Sequence, residues 1–229
     1  MLGDADANDP LTPPTKLSEL FAALGLPDEK AVLNCYCGGS RLWGTSSASS
    51  DHDIYVVHTS KEPSLRVKTV TVQRPIKCDA TLLHVDEWKE RLDLHKPDLL
   101  IFNWHPRPWL ERRSAAAAGW TLSVQKLADS VREQTQREWQ RVRKYLGRAE
   151  RPLGKSTLLH LLRIHMLAAQ LVEHGRVVDF HAARAVHAEI QEAYSTDLAW
   201  WEAEYAPRLL ATQRALDEAA AAAAGGGSG

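Results

Sequence analysis

The chain has 229 residues, of which 44% are hydrophobic and 25% are charged, and its formal net charge at pH 7 is −1. These proportions are typical of a water-soluble globular protein and exclude an intrinsically disordered chain, which would have fewer apolar residues and a larger net charge. The near-zero charge gives no overall attraction to nucleic acid, although it is compatible with a local basic surface. No apolar run reaches the roughly 18–20 residues that a membrane-spanning helix needs.

The first 16 residues contain three prolines and few apolar side chains, which predicts a disordered leader. This segment is acidic and resembles neither a signal peptide nor a transit peptide. Three cysteines, an odd number, argue against a disulfide framework and indicate a reducing compartment, the cytoplasm or the nucleus. Cys35 and Cys37 share one face of a predicted strand and Cys78 lies on another, so we expect buried thiols rather than a metal or redox site.

Short strand patterns separated by turn residues fill most of the first half of the chain. Strands are predicted over residues 31–37, 53–58, 66–72 and 76–83, and helices over residues 17–24, 86–92 and 99–104. Pro75 separates the third and fourth strands, which could therefore form a hairpin. Beyond Trp120 the strand patterns end and long helical periodicity continues to about residue 223. The sequence thus predicts two modules, one rich in strands and one helical.

The segment from Gly38 to Asp53 carries the clearest chemical signal. Gly39 permits close approach of backbone N–H groups to phosphate oxygens, and the Ser40 hydroxyl can add a donor, at the start of a predicted short helix. Asp51 and Asp53 are two residues apart, which places both carboxylates on one face of a strand. Adjacent carboxylates with substrate phosphates are the ligands that Mg²⁺ prefers.

This arrangement resembles the DNA polymerase β nucleotidyltransferase superfamily, and is closest to its small, template-independent members with a helical C-terminal part. The resemblance implies a third carboxylate on a neighbouring strand, for which Asp79 is the candidate. It also implies that the three aspartates bind Mg²⁺ or Mn²⁺ and are catalytic. Gly39 and Ser40, with Arg41 as a helper, would then hold the β- and γ-phosphates.

A helix expected to begin near Ser156 and to end at Gly175 is apolar around most of its circumference. A narrow polar stripe on it comprises Ser156, His160 and Arg163, with Lys155 just before. The resemblance implies that Lys155, His160 and Arg163 contact the triphosphate. The alternative is that His160 and Arg163 form hydrogen bonds where the two modules meet.

The expected fold is therefore α+β, a mixed β-sheet with helices on one face followed by an all-α module that closes a cleft. The expected divisions are a leader over residues 1–16, a catalytic domain over 17–119, a helical domain over 120–218, and a low-complexity Ala/Gly tail over 219–229.

The expected activity is that of a nucleotidyltransferase. It is the Mg²⁺-dependent transfer of a nucleoside monophosphate from a nucleoside triphosphate such as ATP to an acceptor hydroxyl, with release of pyrophosphate. RNA ends, proteins and small molecules all fit as acceptors. One alternative is a catalytically inactive protein of the same fold, acting as a nucleotide sensor or as an antitoxin-like partner. Another is RNA binding through Trp104–Arg113, whose aromatic and basic residues could also simply pack between modules.

Overall fold

A computed structural model describes residues 10–26, 28–62, 65, 67–148 and 150–225. Their contacts divide the chain into two compact units. The first unit contains the described residues up to Asp93 together with Phe102–Thr121, and the second contains Leu94–Ile101 and the described residues from Leu122 onward. The segment Leu94–Ile101 therefore packs with the helical unit, although the sequence pattern placed it in the strand-rich half.

The first unit is built around a five-stranded mixed sheet. Its strands are β1 (Val32–Cys37), β2 (His52–His58), β3 (Val67–Val72), β4 (Cys78–His84) and β5 (Leu110–Glu111). They lie in the order β3-β4-β2-β1-β5, in which β2 and β4 are parallel and the other neighbours are antiparallel. The helices of this unit are α1 (Leu17–Ala23), α2 (Gly39–Leu42) and α3 (Val85–Asp93). Short 3-10 turns occupy Glu29–Ala31, Ile101–Trp104 and Ala116–Ala118. The first residue of the second turn, Ile101, belongs to the second unit.

The two faces of the sheet differ in what covers them. Side chains of α1 pack against one face in a core that includes Leu20, Phe21, Cys35, Ile54 and Leu82. Because successive strand residues point to opposite faces, Asp53 and Tyr55 project from the other face. There the Phe102 ring lies 4.6 Å from the Tyr55 ring and 5.1 Å from the Tyr36 ring, measured between centroids. All three cysteines are buried and free, as the strand pattern predicted.

The second unit is all-helical. It contains α4 (Pro97–Leu100), α5 (Val124–Gly147), α6 (Arg151–His174), α7 (Arg184–Glu192) and α8 (Leu198–Gly225). Leu158 and Leu161 of α6 pack with Val142 of α5, and with Trp201 and Tyr205 of α8. The mixed sheet followed by this helical unit confirms the predicted α+β class.

Helix α6 begins at Arg151, five residues before the predicted start. Pro152 fits in the first turn, because the N–H that proline lacks has no helical partner at that position. Gly154 is needed for packing, since a Cβ atom there would lie 2.5 Å from Leu146 Cδ2 of α5. The predicted end is confirmed, and Gly175 closes the helix with a φ of +67°.

Both ends of the chain lie partly outside the described residues. The predicted leader is described from residue 10, where the Leu11 carbonyl accepts a hydrogen bond of 2.6 Å from Trp109 Nε1. The alanines of the predicted tail continue α8 as far as Gly225, with Ala220 buried, and residues 226–229 lie outside the description. No helix in the described ranges is long and apolar enough to cross a membrane.

Candidate active site

The glycine turn after β1 is joined directly to β2. The backbone N–H of Gly38 donates a 2.7 Å hydrogen bond to the Asp53 carbonyl. Gly39 has a φ of +58°, a left-handed conformation that non-glycine residues rarely adopt. A Cβ atom at position 39 would lie 1.6 Å from Asp53 Oδ2, so the carboxylate occupies the space that a side chain would need. Glycine is therefore required here both by conformation and by contact with Asp53.

Two of the three aspartates expected to form the site lie on adjacent parallel strands, and the third, Asp51, directly precedes the first of these strands. Asp53 of β2 is paired in register with Asp79 of β4, and Asp51 lies two residues before Asp53. Parallel pairing in this register places the Asp53 and Asp79 side chains on the same face of the sheet. The Asp79 Oδ1 atom accepts a 2.6 Å hydrogen bond from the Thr71 hydroxyl of β3. Asp79 therefore lies on the strand next to that of Asp53, where a third carboxylate was expected.

The carboxylates also affect one another electrostatically. Desolvation by burial raises the pKa of Asp53, and the negative charges of Asp51 and Asp79 raise it further. Ionised Asp53 is thus held in an environment that disfavours its charge. A cation bound among these oxygens would relieve that cost.

The residues fit a hard divalent cation in donor chemistry and in charge. Their side chains are nevertheless engaged separately, because Asp51 Oδ2 lies 3.3 Å from Lys77 Nζ and Asp79 is bonded to Thr71. Accordingly, no group of three or more His, Cys, Asp and Glu side chains in the described part of the chain could hold a metal ion as arranged. A cation bound here would compete with Lys77 for Asp51 and with Thr71 for Asp79.

Arg41 and Ser40 lie in the four-residue helix α2. The Arg41 guanidinium donates through Nε to the Asp51 carbonyl at 3.2 Å, and through Nη2 to the Ser50 carbonyl at 2.6 Å. These bonds hold it against the loop that leads into β2. Ser40 is partly exposed beside Gly39, and its carbonyl accepts from the Thr45 N–H at 2.9 Å. A phosphate contact by Arg41 or Ser40 remains a prediction.

The basic residues predicted in the helical unit have two different surroundings. Lys155 Nζ donates to the Gln191 carbonyl at 2.9 Å and lies over the rings of Tyr194 and Trp201, 5.8 and 5.9 Å from their centroids. Lys155 is therefore directed at the segment between α7 and α8.

His160 and Arg163 form the other group. The surrounding protein lowers the pKa of His160, first by desolvation and then through the charge of Arg163, although the residue as a whole is exposed. Desolvation also lowers the pKa of Arg163, to about 10. His160 Nε2 lies 3.5 Å from Gln134 Nε2 of α5. The structure thus brings His160 and Arg163 together and gives Lys155 other neighbours.

Three contacts at this site were not predicted. Lys77 pairs with Asp51 and Thr71 donates to Asp79, as described above. His105 supports the glycine turn: its Nδ1 accepts from the Arg107 N–H at 3.1 Å, so its Nε2 carries the proton and donates to the Cys37 carbonyl at 2.7 Å. The register of a β3–β4 hairpin could have revealed Thr71, since Thr71 pairs with Asp79. No local pattern marks His105, which is 68 positions from Cys37.

The segment Trp104–Arg113 is engaged with the first unit. Trp109 is buried, and the Trp104 ring meets the Trp120 ring edge-on at 5.9 Å. Arg112 Nη1 donates to the carbonyls of Glu29 and Val32, at 2.6 and 3.0 Å. These contacts all lie within the first unit, so the aromatic residues pack there and packing between the modules stays a prediction. Nucleic-acid binding by the same segment remains a hypothesis.

Comparison with known proteins adds little to this geometry. No protein-family profile and no curated protein sequence matches the chain. Among solved structures, the chain is similar to a nucleotidyltransferase-like protein from Exiguobacterium sibiricum 255-15, with 12% sequence identity and a TM-score of 0.33 over 89% of this chain and 72% of that one. A TM-score of this size establishes neither a shared fold nor a shared function. The function has to be argued from the site.

Proposed function

We propose that the protein is a nucleotidyltransferase of the DNA polymerase β type. It would transfer a nucleoside monophosphate from a nucleoside triphosphate to an acceptor hydroxyl and release pyrophosphate. The observation that carries the proposal is the contact between the glycine turn and the carboxylates: Gly39 packs on Asp53, which is in register with Asp79. A phosphate-binding turn next to paired carboxylates is an arrangement suited to a metal-bound triphosphate.

Each residue then has a role. Backbone N–H groups at Gly39 and the hydroxyl of Ser40 would bind the β- and γ-phosphates. Asp51 and Asp53 would hold Mg²⁺ or Mn²⁺, and Asp79 would complete the site next to the acceptor. The bound metal would neutralise charge on the phosphates and lower the pKa of the attacking hydroxyl. Arg41 would keep the Asp51 backbone in place through its two carbonyl contacts.

The chemical step needs mainly positioning and charge neutralisation. The acceptor oxygen forms a bond to the α-phosphorus while the bond from that phosphorus to the bridging oxygen breaks. Pyrophosphate leaves with the electrons of the broken bond. Asp79 takes the proton of the acceptor hydroxyl, and the Thr71 hydrogen bond to Oδ1 orients its carboxylate. Lys155, His160 and Arg163 remain proposed nucleotide contacts, and an RNA end, a protein or a small molecule remains a candidate acceptor.

The test is nucleotide binding measured by calorimetry, with and without Mg²⁺. The native chain should bind a nucleoside triphosphate tightly only with Mg²⁺, and Asp51→Asn/Asp53→Asn should lose that binding. Asp86→Asn/Asp93→Asn is a matched control, because it removes two carboxylates from α3 in the same unit. No binding of any nucleoside triphosphate to the folded native chain would exclude the proposal.

A second candidate is a catalytically inactive protein of this fold, acting as a nucleotide sensor or a partner-binding, antitoxin-like component. The separate engagement of Asp51 by Lys77 and of Asp79 by Thr71 favours it, because each of these carboxylates already has a partner within the protein. It predicts nucleotide binding that Mg²⁺ does not strengthen. It also predicts no pyrophosphate release with RNA, protein or small-molecule hydroxyls. The calorimetric comparison therefore separates the two candidates.

A further inference from the structure

We infer that Lys77 is an internal counter-ion of the candidate metal site, which a divalent cation displaces from Asp51 and which then binds the polyphosphate. This inference rests on the proposed function and adds a residue that regulates the order of binding at the same site. It predicts effects of opposite sign on two ligands. Removing the Lys77 charge should strengthen metal binding and weaken nucleotide binding.

The main chain fixes Lys77 beside the carboxylates. Its carbonyl accepts a 3.2 Å hydrogen bond from the His52 N–H, which extends the pairing of β2 and β4 by one step. Position 77 is two residues before Asp79, so strand alternation places both side chains on the same face. Lys77 Nζ reaches Asp51 Oδ2 at 3.3 Å. The ammonium group thus lies at the edge of the three-carboxylate cluster.

At this edge of the site, negative side-chain charges outnumber the positive charge of Lys77. Asp51, Asp53 and Asp79 carry three negative charges when ionised, and within the described ranges their one ion pair is the contact of Asp51 with Lys77. Arg41 is close, but its guanidinium is bonded to the carbonyls of Ser50 and Asp51. A divalent cation would therefore compete with Lys77 for Asp51 and match the excess charge.

The ion pair can exchange easily. The Lys77 and Asp51 side chains are 60% and 41% exposed, so the pair is screened by water and weak. Once a cation holds Asp51, the lysine side chain can turn without moving the sheet. Its charge is then available to phosphate oxygens bound beside the carboxylates. A lysine ammonium is a common point-charge partner of phosphate.

The first measurement is Mn²⁺ affinity without nucleotide, from the electron paramagnetic resonance signal of free Mn²⁺. Lys77→Gln should bind Mn²⁺ roughly two- to fivefold more tightly than the native chain, which is the range expected for loss of one exposed ion pair. Lys77→Arg keeps the charge and should remain close to the native affinity. Arg74→Gln, exposed in the same turn, makes the same change in net charge and should have no comparable effect.

The second measurement is calorimetry with ATP at saturating Mg²⁺. Lys77→Gln should weaken ATP binding by roughly two- to fivefold or more, and Lys77→Arg should retain it. A misfolded variant would weaken both ligands together, so the opposite signs identify the proposed role. Unchanged affinities, or weakening of both in a folded variant, would overturn it.

Asp51→Asn separates this inference from the proposed function. If the native chain binds Mn²⁺ and Asp51→Asn does not, the metal site is supported even where Lys77→Gln behaves like the native chain. In that case only the role of Lys77 is wrong. If neither the native chain nor Lys77→Gln binds Mn²⁺, the metal site and the role of Lys77 both fail.

Discussion

The carboxylate of Asp53 fills the space beside the Gly39 backbone in which any other residue would place its Cβ atom. That atom would lie 1.6 Å from Asp53 Oδ2 and 2.4 Å from Asp53 Cγ. The glycine turn and the central carboxylate are therefore packed against each other. A side chain at position 39 must displace the Asp53 carboxylate.

Gly39→Ala tests this coupling. We expect it to lower the free energy of unfolding by about 3 kcal/mol, from the left-handed φ together with displacement of Asp53. Gly119→Ala is the control, because Gly119 also has a positive φ, of +78°, but open space where its Cβ would lie. It should cost only about 1 kcal/mol. Equal losses in urea denaturation would show that contact with Asp53 is unimportant.

Asp53→Asn should make the protein more stable at neutral pH while removing its metal affinity. The pKa of Asp53 is raised in the fold by desolvation, and by Asp51 and Asp79, so the folded state binds its proton more tightly than the unfolded chain. Protonated Asp53 therefore makes its full contribution to stability below the pKa that it has in the unfolded chain. This contribution is lost as the pH rises through the higher pKa that it has in the fold.

Thermal denaturation from pH 3 to pH 7 measures this effect. The gain in melting temperature of Asp53→Asn over the native chain should be largest at pH 7 and should shrink toward pH 3. Mg²⁺ should raise the melting temperature of the native chain and leave that of the variant unchanged. A variant that is less stable than the native chain at every pH would contradict the prediction.

His165 should make the helical unit sensitive to acid. Thr135 donates its hydroxyl to the Val131 carbonyl, so His165 Nε2, 2.7 Å from Thr135 Oγ1, must be the donor to that oxygen. His165 Nδ1 is buried and has no hydrogen-bond partner within the described part of the chain. Desolvation lowers the pKa of His165 from 6.5 to about 4.

Neutral His165 therefore makes its full contribution to the free energy of unfolding above its unfolded pKa near 6.5. This contribution is lost as the pH falls toward 4. The loss should reach about 3 kcal/mol. His165→Met has a similar volume and no titrating group, so its free energy of unfolding should vary less over this interval. Urea denaturation followed by circular dichroism at pH 7, 6, 5 and 4 measures the difference. Parallel curves would exclude this role.

Gly154→Ala should destabilise the contact between α5 and α6. Its Cβ would lie 2.5 Å from Leu146 Cδ2 and 3.2 Å from the Leu146 backbone nitrogen, and such overpacking costs about 2 kcal/mol. Gly147→Ala, also in a helix, has its nearest neighbour at 3.8 Å and should stabilise by up to about 1 kcal/mol. Urea denaturation of both variants measures the difference, and equal free energies of unfolding in the two variants would contradict the prediction.

Much of the site could be predicted from short stretches of sequence. Alternation and glycine positions located β1, the turn at Gly39 and β2, because these signals act over two to six neighbouring residues. The same reasoning put Asp51 and Asp53 on one side, and identified the strand that carries Asp79. The apolar positions of α6 followed from its period, although the predicted start near Ser156 missed the first turn at Arg151–Lys155.

Tertiary structure decided the rest, since it depends on which distant segments pair. The register that places Asp79 beside Asp53 comes from parallel pairing of β2 and β4, and no local pattern states that register. The contact of Lys77 with Asp51, the bond from His105 to the Cys37 carbonyl and the buried His165 likewise join residues far apart in the chain. Side-chain periodicity reports only the face on which a residue lies. Its partners across that face are set by packing of the whole unit.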